Sequence, residues 1–373
     1  MRFSCGEPVP WFSAPTHTTD DFQFSAAAGR YVVLSFLGSA ARPDTQRVIA
    51  DLEASHADFD DDRLCFFGVT IDPDDIRSGR MKELLPGIRY FQDFTGFVSR
   101  GYDALPKDLS GVNAETDYRP FSLLLDERLR VLQHFPMEPS GEGHIAKILD
   151  VVRTLPSFGE QQPADLQAPV LIVPRIFEPD FCAELIDYYR THESEDSGFM
   201  RDQGGKTVGV YDYSTKRRRD CQIEDEDIRS RCMHRIHDRL VPEIRRAYQF
   251  NATRMERYIV ACYEGEHGGH FRAHRDNTTK GTAHRRFAVS VNLNADFEGG
   301  YVWFPEFGRQ LFRPPAGGAV VFSCSLLHEA TPVTSGTRYV FLPFLYDDAA
   351  AKVREANQQF LGGNVNAPPG QTA

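Results

Sequence analysis

The stretch YEGEHGGHFRAHRDN, residues 263–277, decides how the second half of the chain reads. It lies between two apolar runs, MERYIVAC (255–262) and HRRFAVSVNLN (284–294), whose composition is that of strands. Gly265, Gly268 and Gly269 mark a turn, and beyond it His274 and Asp276 stand two positions apart. On an extended segment residues i and i+2 face the same way, so an imidazole and a carboxylate can converge there while Arg275 turns away. A His-x-Asp pair alone is a weak signal. His56 and Asp58 form another one in a charged helix end, where a solvated surface pair is expected.

Later strands supply what the first pair lacks. GGAVVFSCSLLHEATPVTSGTRYVFLPFLY (317–346) carries His328 at the end of one strand and Arg338 near the start of the next. Two imidazoles and one carboxylate on one side of a metal form the facial triad of non-haem Fe(II) oxygenases, which leaves coordination positions open. Arg338 adds a planar, permanently charged fork that can bind a carboxylate bidentately, as holding the far end of a dicarboxylate such as 2-oxoglutarate requires. From Met255 onward the chain reads as short strands separated by turns (255–263, 269–275, 285–294, 300–304, 309–313, 318–323 and 337–346), which predicts a β-sandwich or jelly roll. Helical runs precede them in EPDFCAELIDYYRTH (178–192) and DEDIRSRCMHRIHDRLVPEIRRAYQF (225–250).

ACYEGEHGGHFRAHRDN (261–277), DFEGGYVWFPEFG (296–308), PPAGGAVVF (314–322) and LLHEATPVTSGTRYVF (326–341) resemble the prolyl 4-hydroxylase branch of the 2-oxoglutarate/Fe(II) dioxygenases, over roughly 169–348. The resemblance implies a double-stranded β-helix (jelly roll) with supporting helices. It implies His274, Asp276 and His328 as iron ligands, Arg338 as the anchor of the cosubstrate's side-chain carboxylate, and Tyr263 as a cosubstrate hydrogen-bond donor. A second tyrosine found in some members falls near Val291 here, so those cosubstrate contacts do not all transfer. The retained Asp276 speaks against the halogenating variant of the family. The implied reaction consumes O₂ and 2-oxoglutarate, releases succinate and CO₂, is supported by ascorbate, and hydroxylates an unactivated C–H bond. The implied substrate is a prolyl or other amino-acid side chain, whether in a protein, in a peptide or as a free small molecule. His267 and His270, in the glycine-rich turn, are expected to face substrate or solvent, since the triad fills the protein positions. Arg285, Arg286, Asn292, Tyr301 and Trp303 fall on strands that would line the mouth. Alternation sets Tyr301 and Trp303 opposite Val302 and Phe304 without deciding which pair faces inward.

Residues 1–156 alternate apolar strands, among them YVVLSFLG (31–38) and LCFFGVTID (64–72), with helical stretches in the order β-α-β-α-β-β-α, a three-layer α/β domain. GEPVPWFSAP (6–15), YVVLSFLG, FFGVTID and YRPFSLLLDERLRVL (118–132) resemble the peroxiredoxin branch of the thioredoxin fold over roughly 5–155. In that family the reactive cysteine opens the helix after the first long strand, where the helix N-terminus lowers its pKa. Here that place reads GSAARPDTQ (38–46), with Ser39, Arg42, Asp44 and Thr45 but no cysteine. Cys65 lies inside a strand and Cys5 precedes the fold. A non-catalytic thioredoxin-like module is therefore expected, used for substrate presentation, for pairing into a homodimer, or as a passive stabilising appendage.

A chain of 373 residues is long for one core, and PSFGEQQPADLQAP (156–169) has the composition of a linker, which sets boundaries at 1–156, 157–168, 169–348 and a C-terminal tail over 349–373, with disorder expected for its end QQFLGGNVNAPPGQTA (358–373). A net charge of −11 disfavours a nucleic-acid-binding surface, although KRRR (216–219) is locally basic. No apolar run reaches the length of a membrane span, and the first residues lack the pattern of a secretory signal. Seven cysteines without a CxxC pair point to a reducing cytoplasm rather than a disulfide framework.

Overall fold

The computed structural model describes residues 3–107, 116–160 and 166–365. Part of the expected linker, 161–165, and the end of the expected tail, 366–373, lie outside the described residues. The chain divides into two compact units, Met1–Gln162 and Pro163–Ala373. Among the described residues no helix is long and apolar enough to cross a membrane.

The first unit is built on β1 (Tyr31–Gly38), α1 (Pro43–Ala54), β2 (Leu64–Thr70), β3 (Ile88–Gln92), β4 (Phe121–Leu125), β5 (Val131–Pro136) and α2 (His144–Thr154). The sheet order is β3-β2-β1-β4-β5, with β1 and β2 parallel and β1 and β4 antiparallel. Every residue of β1 is buried because both faces are covered. Val32, Leu34 and Phe36 enter one core with the N-terminal segment and Tyr102. Tyr31, Val33 and Leu37 enter the other, beneath Val48 and Leu52 of α1 and Ile145 and Ile148 of α2. A short helix at Phe97–Gly101, which the sequence reading does not include, precedes the hairpin of β4 and β5.

In the second unit β6 (Leu171–Val173) leads to α3 (Pro179–Thr191), then β7 (Phe199–Gln203), β8 (Lys206–Val210), β9 (Lys216–Arg217) and β10 (Arg219–Gln222). The long helical region at 225–250 is two helices, α4 (Glu226–Arg235) and α5 (Val241–Tyr248), joined through a π-turn just before Pro242, which cannot donate to the helical ladder. Then follow β11 (Arg254–Glu256), β12 (Ile259–Glu264), β13 (His270–His274), β14 (Phe287–Asn292), β15 (Phe297–Gly299), β16 (Val302–Trp303), β17 (Leu311–Phe312), β18 (Ala319–Ser323), β19 (His328–Ala330), β20 (Val333–Phe341) and β21 (Phe344–Tyr346). The larger sheet runs β11-β21-β14-β20-β12-β10, with β18 on β14 and β6 on β18; the smaller runs β9-β13-β19-β16-β17.

Two strands expected as continuous are broken. The 255–263 run is interrupted where Arg257 takes a left-handed φ of 66°, and 337–346 is interrupted at Pro343, which has no N–H for the ladder. The expected tail is ordered through Val365: α6 (Asp348–Asn357) is capped by the Asp347 carboxylate, and β22 (Leu361–Val365) pairs in parallel with β8. Glycine-rich LGGNV has little strand propensity of its own, so its pairing is a gift of the neighbouring strand.

One face of the larger sheet packs under the helices through Val260, Val289, Val291, Val321 and Phe341. The other faces the smaller sheet, with Ala288, Val320, Phe322 and Phe344 against Val302 and Phe304. Val302 and Phe304 are thus the inward pair.

Candidate metal centre

A cavity of about 450 Å³ is lined by residues of both sheets, among them Tyr263, His274, Asp276, His328 and Arg338. His274 ends β13, and His328 opens a strand of its own, β19, rather than ending one; the antiparallel register sets the two directly opposite. Opposed residues hold their side chains within reach of one another, and the imidazole centroids are 4.3 Å apart. Asp276 follows in the turn after β13, where its amide donates to the Cys324 carbonyl. That bond to β18's end, rather than strand pleat, fixes the residue. Nε2 of His274 lies 3.5 Å from one carboxylate oxygen and Nε2 of His328 3.3 Å from the other. Among the described residues this is the only group of three or more His, Cys, Asp or Glu whose ligand atoms gather so closely, all within 4.8 Å.

The two rings are oriented alike. Nδ1 of His274 bonds the Arg272 carbonyl at 2.8 Å, and Nδ1 of His328 bonds the Leu326 carbonyl at 3.0 Å. A carbonyl only accepts, so each Nδ1 carries the hydrogen and a neutral ring turns its Nε2 lone pair toward Asp276. Burial pushes His328 down to about 4, against the pull of Asp276, so its ring is neutral at pH 7. Burial opposes ionisation of Asp276, but the imidazoles, in the acid range where they are charged, and the Arg285 guanidinium outweigh it and hold the carboxyl well below its usual range. At pH 7 the His328 lone pair thus faces a carboxylate with no hydrogen between them. A divalent cation relieves that repulsion, and this N,N,O donor set fits iron(II).

Arg338 lies mid-way along β20 opposite Tyr263 of β12, not near a strand start, and is 2% exposed. Its Nε donates to Asn292 Oδ1 at 3.1 Å and its Nη2 to Ser290 Oγ at 2.8 Å. Among the described residues no carboxylate pairs with it; Tyr263 and the cations Arg313 and Arg218 act on it electrostatically. Burial pushes it down to about 10, which leaves it charged at neutral pH. A buried cation without a counter-ion is costly by itself and is a receptor for an anion. Tyr263 is buried beside it, its hydroxyl 3.4 Å from Arg218 Nη1.

The remaining sequence candidates separate by face. Val291 belongs to the core under the helices, while its neighbours Ser290 and Asn292 turn toward Arg338. Tyr301 and Trp303 alternate with the inward pair, and Trp303 Nε1 donates to the Gly308 carbonyl. Arg286 donates to the Ala283 carbonyl and Arg285 to Glu256, and only Arg285 lines the cavity. His267 is half-exposed near Glu264. His270 is buried between the carbonyls of Gly268 and Ser214, away from the triad.

Lys216 and Arg218 are the residues that sequence reading passed over. KRRR reads as a charged surface run, yet alternation along β9 and β10 buries its first and third members in the cavity wall. Arg218 holds Asp220 through two bonds, at 2.7 and 2.6 Å. Lys216 Nζ donates to Ser197 Oγ at 2.8 Å and the Gly198 carbonyl at 2.6 Å.

In the first unit the start of α1 carries Arg42 paired with Asp44 at 2.8 Å, and Ser39 Oγ donates to Asp72 at 2.6 Å. Burial pushes the Cys65 thiol up to about 12. No disulfide joins the cysteines among the described residues.

Residues 258–346 match the 2OG-Fe(II) oxygenase superfamily, and residues 5–140 match the AhpC/TSA family. A PKHD-type hydroxylase of Thioalkalivibrio sulfidiphilus is 27% identical over 126 residues, covering 31% of this chain and 55% of that protein. PKHD-type hydroxylase PiuC of Pseudomonas aeruginosa is 32% identical over 112 residues, covering 28% of this chain and 47% of that protein. The chain thus spans about half the length of these curated relatives. Among solved structures, a Trichoplax adhaerens prolyl hydroxylase in complex with a hypoxia inducible factor peptide fragment is 18% identical with a TM-score of 0.38, covering 50% of this chain and 86% of that one.

Proposed function

We propose that this chain, in which an AhpC/TSA-type thioredoxin-like domain is joined to a 2OG-Fe(II) oxygenase domain, is a dioxygenase that hydroxylates an unactivated C–H bond while converting 2-oxoglutarate to succinate and CO₂. His274, Asp276 and His328 would hold the iron, Arg338 the far carboxylate of 2-oxoglutarate, and the Tyr263 hydroxyl would donate to the same cosubstrate. Bound iron supplies the activation of O₂ that no side chain can perform. The protein's own part is placement: the carbonyls of Arg272 and Leu326 keep both Nε2 atoms on the metal side, and Arg338 orients the dicarboxylate. The observation that carries the reading is two histidines of fixed tautomer converging on one carboxylate, beside a buried arginine with no anion of its own.

The substrate would be a prolyl or other amino-acid side chain, with ascorbate keeping the iron reduced. The first domain would serve presentation or pairing rather than thiol chemistry, and the free cysteines suit a cytoplasmic setting. The test is anaerobic Fe(II) titration together with succinate release in His274→Ala, Asp276→Ala and His328→Ala. All three should lose both signals, because a facial triad has no spare protein ligand. Full iron binding and succinate release in any one variant would remove that residue from the set.

A further inference from the structure

The cavity carries more positive charge than the cosubstrate anchor accounts for. Arg257 and Arg285, from the break before β12 and the approach to β14, come together over one ring: their guanidinium carbons lie 5.3 and 4.0 Å from the centre of Phe344. Both line the cavity. Both also face Asp276 electrostatically, whereas Arg338 is held by Asn292 and Ser290 and Arg285 by Glu256. Arg285 and Arg338 are therefore separate cation sites, one at the triad and one further along β14, beside Ser290 and Asn292.

Their partners leave donors unspent. Among the described residues Arg257 makes one hydrogen bond, Nη2 to Asp220 at 3.3 Å, and Asp220 is already held by two bonds from Arg218. Arg285 uses only Nε, on Glu256 at 2.7 Å, and Glu256 also serves His284 and Arg354. Four guanidinium groups (Arg218, Arg257, Arg285 and Arg354) thus share two carboxylates, Asp220 and Glu256. Loading with iron(II) and the dianion 2-oxoglutarate leaves this excess in place, since their charges cancel. Arg257 keeps a left-handed backbone, φ 66°, that favours glycine or asparagine rather than a long side chain. The chain as a whole carries a net charge of −11, so a cationic cavity in it is a local feature with a local purpose.

We infer that Arg257 and Arg285 receive an oxyanion of the substrate, so that the molecule oxidised at the triad carries a carboxylate or phosphate close to the reacting carbon. The inference deepens the oxygenase reading and rests on it. Paired guanidiniums offer the bidentate geometry both oxyanions accept.

The experiment is calorimetric titration of inorganic phosphate and, separately, malonate into the full chain saturated with Zn(II) and 2-oxoglutarate, so that Arg338 is already occupied. One anion should bind at a single site, and the stronger of the two names the oxyanion. Arg257→Gln and Arg285→Gln should each weaken it at least tenfold, Arg257→Lys less, and Arg286→Gln not at all. If loss of the Glu256 contact unfolds Arg285→Gln, Arg257→Gln decides, because Asp220 keeps both bonds to Arg218. Failure of both anions to bind, or equal affinity in Arg257→Gln, overturns the site. Normal Zn(II) and 2-oxoglutarate binding alongside that failure leaves the oxygenase reading intact. Absent 2-oxoglutarate binding with phosphate still dependent on Arg257 would instead overturn the oxygenase reading and keep the anion site.

Discussion

Replacing Arg338 by methionine removes the fork and keeps most of the stem, which packs so close to Gly300 that an added Cβ there would lie 3.0 Å from Arg338 Cδ. Of the five N–H groups of a guanidinium, Asn292 and Ser290 take two, which leaves enough for a carboxylate to make two charge-assisted bonds. At about 1.5–3 kcal/mol for each such bond, the pair contributes roughly 3–6 kcal/mol. With about 1.4 kcal/mol per factor of ten, Arg338→Met should weaken 2-oxoglutarate binding on the order of 10²–10⁴-fold while Zn(II) binding stays near normal. Arg338→Lys should fall between, since the charge persists and the fork does not. The assay is calorimetry of 2-oxoglutarate into the Zn(II)-loaded chain, paired with thermal melts. Without ligand the methionine variant should melt near the parent, because a buried cation with no counter-ion contributes little to stability. With 2-oxoglutarate at 100 times the parent's Kd, the parent should gain about 2.7 kcal/mol and the variant almost none. An affinity within threefold of the parent, with the metal bound, would refute the assignment of Arg338 as the anchor.

Gly300 holds φ 62° against the Arg338 stem, so Gly300→Ala should push that stem aside and weaken 2-oxoglutarate at least tenfold, read by the same titration, with backbone strain of about 1 kcal/mol lowering the melting temperature slightly. His144 is buried against Ser122 Oγ at 2.8 Å, and burial, helped by Lys147, pushes it down to about 4. Its unfolded value is about 6.5, so the stability it supports is whole above pH 6.5 and is lost as pH falls toward 4, by up to roughly 3 kcal/mol. His144→Gln should flatten that slope of chemical denaturation against pH, and an unchanged slope would reject the cause. Thiol-dependent peroxide consumption by the full chain should stay at the buffer rate, and Cys5→Ser with Cys65→Ser should change nothing, because the Cys65 thiol is pushed up to about 12 and α1 begins with Arg42 and Asp44. Consumption above buffer that disappears in the double variant would restore a thiol role.

The cluster of His274, Asp276 and His328 was legible early because a metal's demand is written in few residue types, here two imidazoles and one carboxylate. His274, Asp276, His328 and Arg338 are each of the type that the chemistry needs, and they do come to one cavity. Arg218 and Lys216 were not legible. A run of four basic residues has the composition of a solvated face, and only the pairing of β9 with β13 and of β10 with β12 shows which alternate members are buried. Val291 illustrates the same limit: strand alternation puts it opposite Ser290 and Asn292, but nothing local says which side lies under the helices.

The residues by themselves determined the two domain folds, the period-two strands and the residue types of the candidate donor set, because each depends on neighbours along the chain or on side-chain chemistry alone. The tertiary structure decided the rest. It set His274 across from His328, aimed Asp276 through the Cys324 carbonyl, ordered LGGNV against β8, and left Arg338 buried without a counter-ion. It also brought Arg257 and Arg285 from different segments over one phenylalanine ring. Strand register and burial are long-range quantities: a shift of one residue would turn His274, His328 and Arg338 to the opposite face, and no local property of the chain records which register wins.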